Sequence, residues 1–318
     1  MTPAPIALFA YNRPTHLART LEALRDNPLA HKSRLHIYSD GPKAPGDEPA
    51  VAQVRHMIRK TDGFAEVTIH EQTANIGLAR SIIAGVTELS ELYGSVIVLE
   101  DDLVVAPGFL TFMNQALEHY EHASRVMAIS GYLFPVEHSE HLTSTFFFSV
   151  PASWGWGTWH RAWKQFQYDS TQLLMGLRAK SDQDRFDVDG AYPYFTQLKL
   201  QAAGKLDVWG VRWYATMFAA KGLCLYPSQS LVQNIGMDGS GMHCNRSSQF
   251  DVSLSKSETW RFSDQVEESI VARNEVRSFF MQLGAYDQGG RIAELTSRLR
   301  LVASRMKWTI SSSQKQKE

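Results

Sequence analysis

The densest chemistry in the chain is Glu100-Asp101-Asp102, three carboxylates in a row. An apolar run, Val96-Ile-Val-Leu99, precedes them, and Leu103-Val-Val-Ala-Pro-Gly-Phe109 follows. Like charges set between two apolar runs repel one another and call for a counter-cation. Carboxylate oxygens suit Mg²⁺ or Mn²⁺. A cation held by one or two carboxylates keeps positions open for phosphate oxygens, and as a Lewis acid it neutralises a departing diphosphate. The plainer reading is a solvated acidic turn at a strand end; the apolar flanks favour the cation.

Other candidates are more ambiguous singly. Asp40, in Ser39-Asp40-Gly41-Pro42, is either a turn-former or an acceptor for a donor N–H. Arg13 and Arg80 match phosphate oxygens as guanidinium groups, with surface ion pairs as the alternative. Trp154, Trp156 and Trp159, separated by Gly155 and Gly157, can stack on sugar rings or sit in the core. Of these, Trp154 or Trp156 is expected at a ligand cleft, with Trp159 and Trp163 buried.

These residues need elements to carry them. Pro5 to Ala10 reads as a buried strand, and Pro14 as a first helical position ahead of Leu17, Leu21 and Leu24. Strands follow at 35–38, 67–70 and 96–99, with helices marked by Val51, Val54, Met57 and Ile58, then over 76–93 and 107–119. Strands alternating with helices imply an α/β fold, a mostly parallel Rossmann-like sheet flanked by helices. Ligands bind at the carboxyl ends of such strands. Asn12, Asp40 and the triplet all follow strands, so all can share that rim.

The second half changes character. It is aromatic-rich from Phe146, with Trp209, Trp213 and Tyr214 in a helix expected over 207–221 and a strand over 223–226. The expected organisation is 1–135 and 136–255 as two halves of one domain, and 256–318 as a helical C-terminal extension with a disordered tail. In that extension Ile292, Leu295, Leu299, Val302 and Met306 form one apolar stripe, and Arg291 to Glu318 carries seven Lys/Arg against two Glu. Such a helix packs back on the domain, lies on an anionic membrane surface or forms a dimer seam.

Composition narrows the field. With 44% hydrophobic residues in 318, the chain can bury a sizeable core. A net charge of −1 argues against a nucleic-acid-binding surface spread over the molecule. Two cysteines, without a CxxC pair, fit a reducing compartment and disfavour a thiolate zinc site. Met1 to Tyr11 lacks the pattern of a secretory leader, and no run approaches the roughly 18 apolar residues of a membrane helix. The expected location is cytoplasmic, at most on the inner face of the membrane.

Several motifs carry a resemblance. Val98 to Phe109 resembles the metal-site segment of the N-acetylglucosaminyltransferase I family and of bacterial sugar transferases in the GT-A superfamily. Phe9-Ala-Tyr-Asn-Arg-Pro14 resembles the opening strand and turn of GT-A enzymes, and Asn75-Ile-Gly77-Leu-Ala-Arg80 their nucleotide-contacting segment. Trp154-Gly-Trp-Gly-Thr-Trp159 and Asn234 to His243 resemble later motifs of the bacterial members. The resemblance spans roughly residues 5 to 245. It implies a metal-dependent glycosyltransferase with Mn²⁺ or Mg²⁺ as cofactor, with 1–135 as its nucleotide-sugar-binding half and 136–255 as the acceptor and catalytic half of the same domain. The partners implied are a nucleotide-sugar donor, with UDP as nucleotide, and a glycan or glycoconjugate acceptor; inversion is implied too.

By the same resemblance Asp102 is the metal ligand, and Glu100 and Asp101 contact the donor sugar and ribose. Ala10, Asn12, Arg13, Asp40, Asn75, Gly77, Arg80 and Trp154 complete the donor site, and His243 adds a second metal or diphosphate contact. An inverting transfer needs a general base for the acceptor hydroxyl. Asp207 is the first candidate, with a helix N-cap as its other reading, and Asp238 is the alternative. Relatives often carry an acid directly after the tryptophan where this chain has Gly210, a departure that weakens the choice of Asp207.

Rival readings are a nucleotidyltransferase and a non-catalytic carbohydrate-binding protein. The first usually has a Gly-rich, basic loop where this chain has Tyr11-Asn-Arg-Pro14; the second leaves the acidic triplet unexplained. A dehydrogenase is disfavoured because no GxGxxG follows the first strand.

Overall fold

The computed structural model describes residues 2–239 and 247–287. His243 and the stripe from Ile292 to Met306 lie outside the described residues. The first half alternates as its periodicity predicts: β1 (Ile6–Ala10), α1 (Pro14–Arg25), β2 (Arg34–Ser39), α2 (Glu48–Ile58), β3 (Glu66–Glu71), α3 (Leu78–Tyr93) and β4 (Ser95–Glu100). The short β5 (Leu103–Val105), α4 (Phe109–His119) and β6 (Val126–Ser130) follow. All five residues of β1 are buried, as expected for a strand covered on both faces. Pro14 opens α1 at a position where its missing N–H costs nothing.

The second half adds β7 (Thr145–Phe148), β8 (Trp156–Trp159), α5 (His160–Trp163), α6 (Ser170–Met175), α7 (Lys180–Phe186), α8 (Tyr194–Ala202), α9 (Trp209–Ala219), β9 (Leu223–Pro227), β10 (Val232–Asn234) and α10 (Ile270–Asp287). Eight strands make one sheet in the order β3-β2-β1-β4-β8-β6-β9-β7, and β5 pairs with β10 as a small antiparallel ribbon. β3, β2, β1 and β4 are parallel, as are β6 and β9, while β8 and β7 run against their neighbours. The α/β fold with a mostly parallel sheet and flanking helices is therefore as the alternation implies.

The tryptophan segment departs from expectation. Trp156–Trp159 is a central strand, inserted antiparallel between β4 and β6. Alternation along it sends Trp156 to one face, against Trp209 at 5.0 Å and near Trp163 and Trp213. The opposite face carries Gly157 and Trp159 under α4. A Cβ at Gly157 would come within 2.9 Å of the Met113 Cε and 3.2 Å of Val96 O, so the glycine lets the Met113 side chain of α4 lie close on the strand. Trp156 is 1% exposed, so it offers no face to a ligand. Trp159 and Trp163 are buried as expected. Trp156→Ala is expected to destabilise the protein by ~3–5 kcal/mol, read as a lower midpoint in urea with an unchanged slope.

The C-terminal segment departs as well. From 251 to 267 the chain has no helix and crosses the sheet's flank as an extended strap. The Tyr120 hydroxyl donates to Ser263 O at 3.0 Å, Thr145 donates to Arg261 O at 2.6 Å, and Trp260 packs edge-on against Phe112 at 5.2 Å. These longer-range partners take up the carbonyls of Arg261 and Ser263, and the next helix begins at Ile270. No described helix is long and apolar enough to cross a membrane.

Candidate functional site

The carboxyl ends of β1, β2 and β4 meet at one rim. Phe9 pairs with Glu100 and Ala10 with Ser39, so the β1–α1 turn, Asp40 and the triplet become neighbours. Asp40 N–H donates to Ala10 O at 3.1 Å, joining the first two strand ends.

Within the triplet the three side chains have different surroundings. Asp101 is 7% exposed; its carboxylate accepts from Tyr11 N–H at 3.0 Å and its carbonyl from the Thr20 hydroxyl at 2.9 Å. Asp102 accepts from Arg13 Nη1 at 2.6 Å, and its carbonyl accepts from Ile235 N–H at 2.9 Å. The Glu100 carboxyl makes no hydrogen bond or ion pair among the described residues. Burial first, then the charges of Asp102 and Asp101, push the Glu100 carboxyl up to about 8. Burial and Asp102 push Asp101 up to about 7.

Arg13 is the hub of a second layer. Its Nη2 donates to Gly236 O at 3.1 Å, lies 3.3 Å from His16 Nε2 and 3.6 Å from Asp238. His16 Nε2 is 3.1 Å from Asp238 Oδ2. The loop after β10 is thereby clasped over the end of β4. Gly236 makes the closure feasible: a Cβ there would land on the Asp102 carboxylate and within 2.8 Å of Arg13 Nη1.

The donor set fits a hard divalent cation. Three consecutive carboxylates end β4, Asp102 is paired with Arg13, burial first and then the charge of Asp102 push Glu100 and Asp101 up, and the glycine opposite leaves the Asp102 carboxylate room. The pH dependence follows in sign. A carboxyl whose folded value is raised favours folding while protonated and loses that contribution as pH rises from the ordinary carboxylate range through 7 to 8. The metal-free protein should therefore lose stability over that window. Added Mn²⁺ should restore it, so the Mn²⁺-induced rise in melting temperature should grow between about pH 6 and 8. Melting scans with and without Mn²⁺ across that range check this; a shift independent of pH would contradict it.

The other candidates fall in several places. The Asp40 carboxylate accepts from the backbone N–H groups of Gly41, Ile76 and Gly77 at 2.8, 2.9 and 2.9 Å. It thus fastens the turn before α3 to the end of β2. Asn75 Nδ2 donates to Gly41 O at 2.9 Å in the same knot. Asn12 donates to Asp47 at 3.2 Å, and the Tyr11 hydroxyl donates to the other Asp47 oxygen at 2.8 Å, so Asp47 ties the two loops that wall the rim. Arg80, in the first turn of α3, lines a shallow groove of about 460 Å³ with Ile83, Ala84, Glu88 and Tyr168. Trp154 is half-buried, edge-on to Tyr132 at 4.6 Å and Phe250 at 5.6 Å.

Asp207 does not cap α9. The capping position is Val208, without a side-chain hydrogen bond, and Asp207 instead pairs with the buried Arg212. The guanidinium of Arg212 lies over the Tyr168 ring at 4.5 Å. Asp238 joins the Arg13 cluster. His16 and Asp47 were not anticipated. His16 lies in the first turn of α1, three residues after Arg13 at the position before the helix, a spacing present in the sequence. Asp47 offers none, because its partners come from another loop.

No protein-family model matches the chain, and no curated protein matches it. Among solved structures it is similar to the mannosyltransferase PcManGT from Pyrobaculum calidifontis in complex with GDP-Man and Mn²⁺: 12% identity over 70% of this chain and 74% of that one, with a TM-score of 0.38. The galactosyltransferase LgtC, in complex with donor and acceptor sugar analogues, gives 9% over 70% and 72%, with a TM-score of 0.36. S. aureus TarS gives 10% over 40% of this chain and 21% of its own, with a TM-score of 0.28. Likenesses of this size carry no information about individual residues.

Proposed function

We propose that the protein is a metal-dependent glycosyltransferase that takes a nucleotide-sugar donor at the carboxyl rim of β1, β2 and β4. The observation that carries this reading is the triplet itself. Glu100 and Asp101 are pushed up to about 8 and 7, and Asp102 is held on the rim under a glycine that leaves it room. Asp102, with Glu100 and Asp101 behind it, would hold Mn²⁺ or Mg²⁺. The cation would supply charge neutralisation for the departing nucleoside diphosphate.

The chain's own residues have separate tasks in this reading. Arg13 serves as the counter-charge to Asp102 and, when a cation takes that place, as a donor to the diphosphate. Asp40 and Asn75 hold the turn that borders the nucleotide, with Gly77 at its helix start. Tyr11, Asn12 and Asp47 set the width of the mouth between the first two loops. Asp207 or Asp238 takes the acceptor proton. Both are ion-paired, Asp207 with Arg212 and Asp238 with Arg13 and His16; Asp238 is favoured because its partner Arg13 also touches Asp102. UDP as the nucleotide, inversion and a glycan or glycoconjugate acceptor rest on the sequence motifs alone.

A panel of nucleotide-sugars, incubated with the full chain in Mn²⁺, Mg²⁺ or EDTA, tests the proposal. The expected result is slow release of nucleoside diphosphate from one donor class in the metal samples only. Equal release in EDTA, or binding of sugars without turnover of any donor, would overturn it.

A further inference from the structure

Three side chains of metal-ligating types lie together on the connection between β6 and β7, outside the acidic triplet. His138, Glu140 and His141 lie on one short 3₁₀ turn, closed by His141 N–H to His138 O and Leu142 N–H to Ser139 O, each at 3.1 Å. In a 3₁₀ turn, residues three apart eclipse one another. The two imidazoles are accordingly stacked, with ring centroids 5.2 Å apart and planes at 24°. Glu140 reaches both: its Oε1 is 3.2 Å from His138 Nδ1 and 3.9 Å from His141 Nε2. One ligating atom from each of the three residues falls within 4.8 Å of the other two.

Those separations are close to what a cation needs. Ligands at about 2.0–2.1 Å in a tetrahedral shell stand roughly 3.3 Å from one another. The observed spacings reach that with small side-chain rotations, which exposed groups make freely. The turn itself has fixed neighbours. Glu137 accepts from Gln282 of α10 at 2.9 Å, and Phe134 packs on Phe280 at 5.0 Å. The backbone that presents the three ligands is thus tied to α10 on its N-terminal side. A surface ion pair would need only one histidine beside Glu140; here a second stands over the first on the same turn.

We propose that His138, Glu140 and His141 form a binding site for a borderline transition-metal dication of the Zn²⁺ class. Two imidazole nitrogens and one carboxylate oxygen select Zn²⁺, Co²⁺ or Ni²⁺ over Mg²⁺. The all-oxygen triplet at the end of β4 has the opposite preference, so the two sites differ in the metal they take. Three protein ligands leave at least one position to water. Occupancy would cross-link the β6–β7 connection at a point held against α10. This inference does not depend on the donor reading of the rim.

The test uses the untagged full chain, stripped with chelator and dialysed, and titrated with Zn²⁺ by calorimetry and with Co²⁺ by visible absorption. The wild-type chain is expected to bind one Zn²⁺ equivalent more than the His138→Ala/His141→Ala double variant. It should also show Co²⁺ ligand-field bands that the double variant lacks. His141→Ala alone should weaken that binding event at least tenfold. Asp102→Asn should leave it intact, which keeps this test separate from the test of the rim. Matching far-UV spectra establish that the variants fold. Equal Zn²⁺ uptake by wild type and the double variant, or no uptake by the wild type, would overturn the proposal.

Discussion

Asparagine at position 102 is expected to lower metal-dependent cleavage of the donor by two to three orders of magnitude, with little loss of stability. The substitution keeps the shape and removes the charge. A neutral amide is a poor ligand for a hard cation, and the carboxylate charge it replaces is what Arg13 answers at 2.6 Å. If Lewis-acid stabilisation supplies about 3–4 kcal/mol of the barrier reduction, the loss corresponds to roughly a hundredfold to a thousandfold.

Stability should respond in the other direction or hardly at all. The lost ion pair with Arg13 is offset by relief of repulsion on Glu100 and Asp101, both of which Asp102 pushes upward. The signature is therefore a fall in kcat/KM at saturating Mn²⁺ together with a melting temperature that holds or rises. Rates of nucleoside diphosphate release and a melting scan on the same preparation measure both. Turnover that survives the change would remove Asp102 from the metal-holding role.

The second large effect is expected from Gly236→Ala, one methyl group placed where the closure is tightest. The new Cβ would collide with the Asp102 carboxylate and crowd Arg13 Nη1, a contact of 2.8 Å. Either the loop after β10 lifts, breaking the bonds from Ile235 N–H to Asp102 O and from Arg13 to Gly236 O, or Asp102 rotates away from the rim. Overpacking of this kind costs about 1–3 kcal/mol. Both relaxations also disturb the group that would hold the cation. Mn²⁺ should consequently stabilise the variant much less than the wild type. Gly284→Ala is the control, since a Cβ there meets nothing within 4 Å. It lies in α10, where alanine is the better helix former. A Gly236→Ala variant with normal Mn²⁺ stabilisation would mean that the loop does not bear on the site.

What the sequence determined by itself is the alternating first half and the identity of the acidic triplet. Strands buried on both faces must be short apolar runs, and helices between them must show a 3–4 spacing, so β1 to β4 and α1 to α4 are legible from local pattern. The triplet is legible because its three acids are consecutive and its flanks are apolar.

Other features were decided only by tertiary structure. Trp154, Trp156 and Trp159 read equally as sugar-stacking or core residues, and only the pairing of Trp156–Trp159 between β4 and β6 decides that Trp156 joins Trp159 in the core. The chain from 256 reads as helical from its polar pattern, but through 267 it is extended, with the Arg261 and Ser263 carbonyls bonded to Thr145 and Tyr120. The clasp joins Arg13 to Asp102 and His16 to Asp238, partners 89 and 222 residues apart. Periodicity extends over a few turns or strand residues and records which face is buried. It carries no record of which distant loop will cross that face, because that depends on where the whole sheet brings the chain ends together.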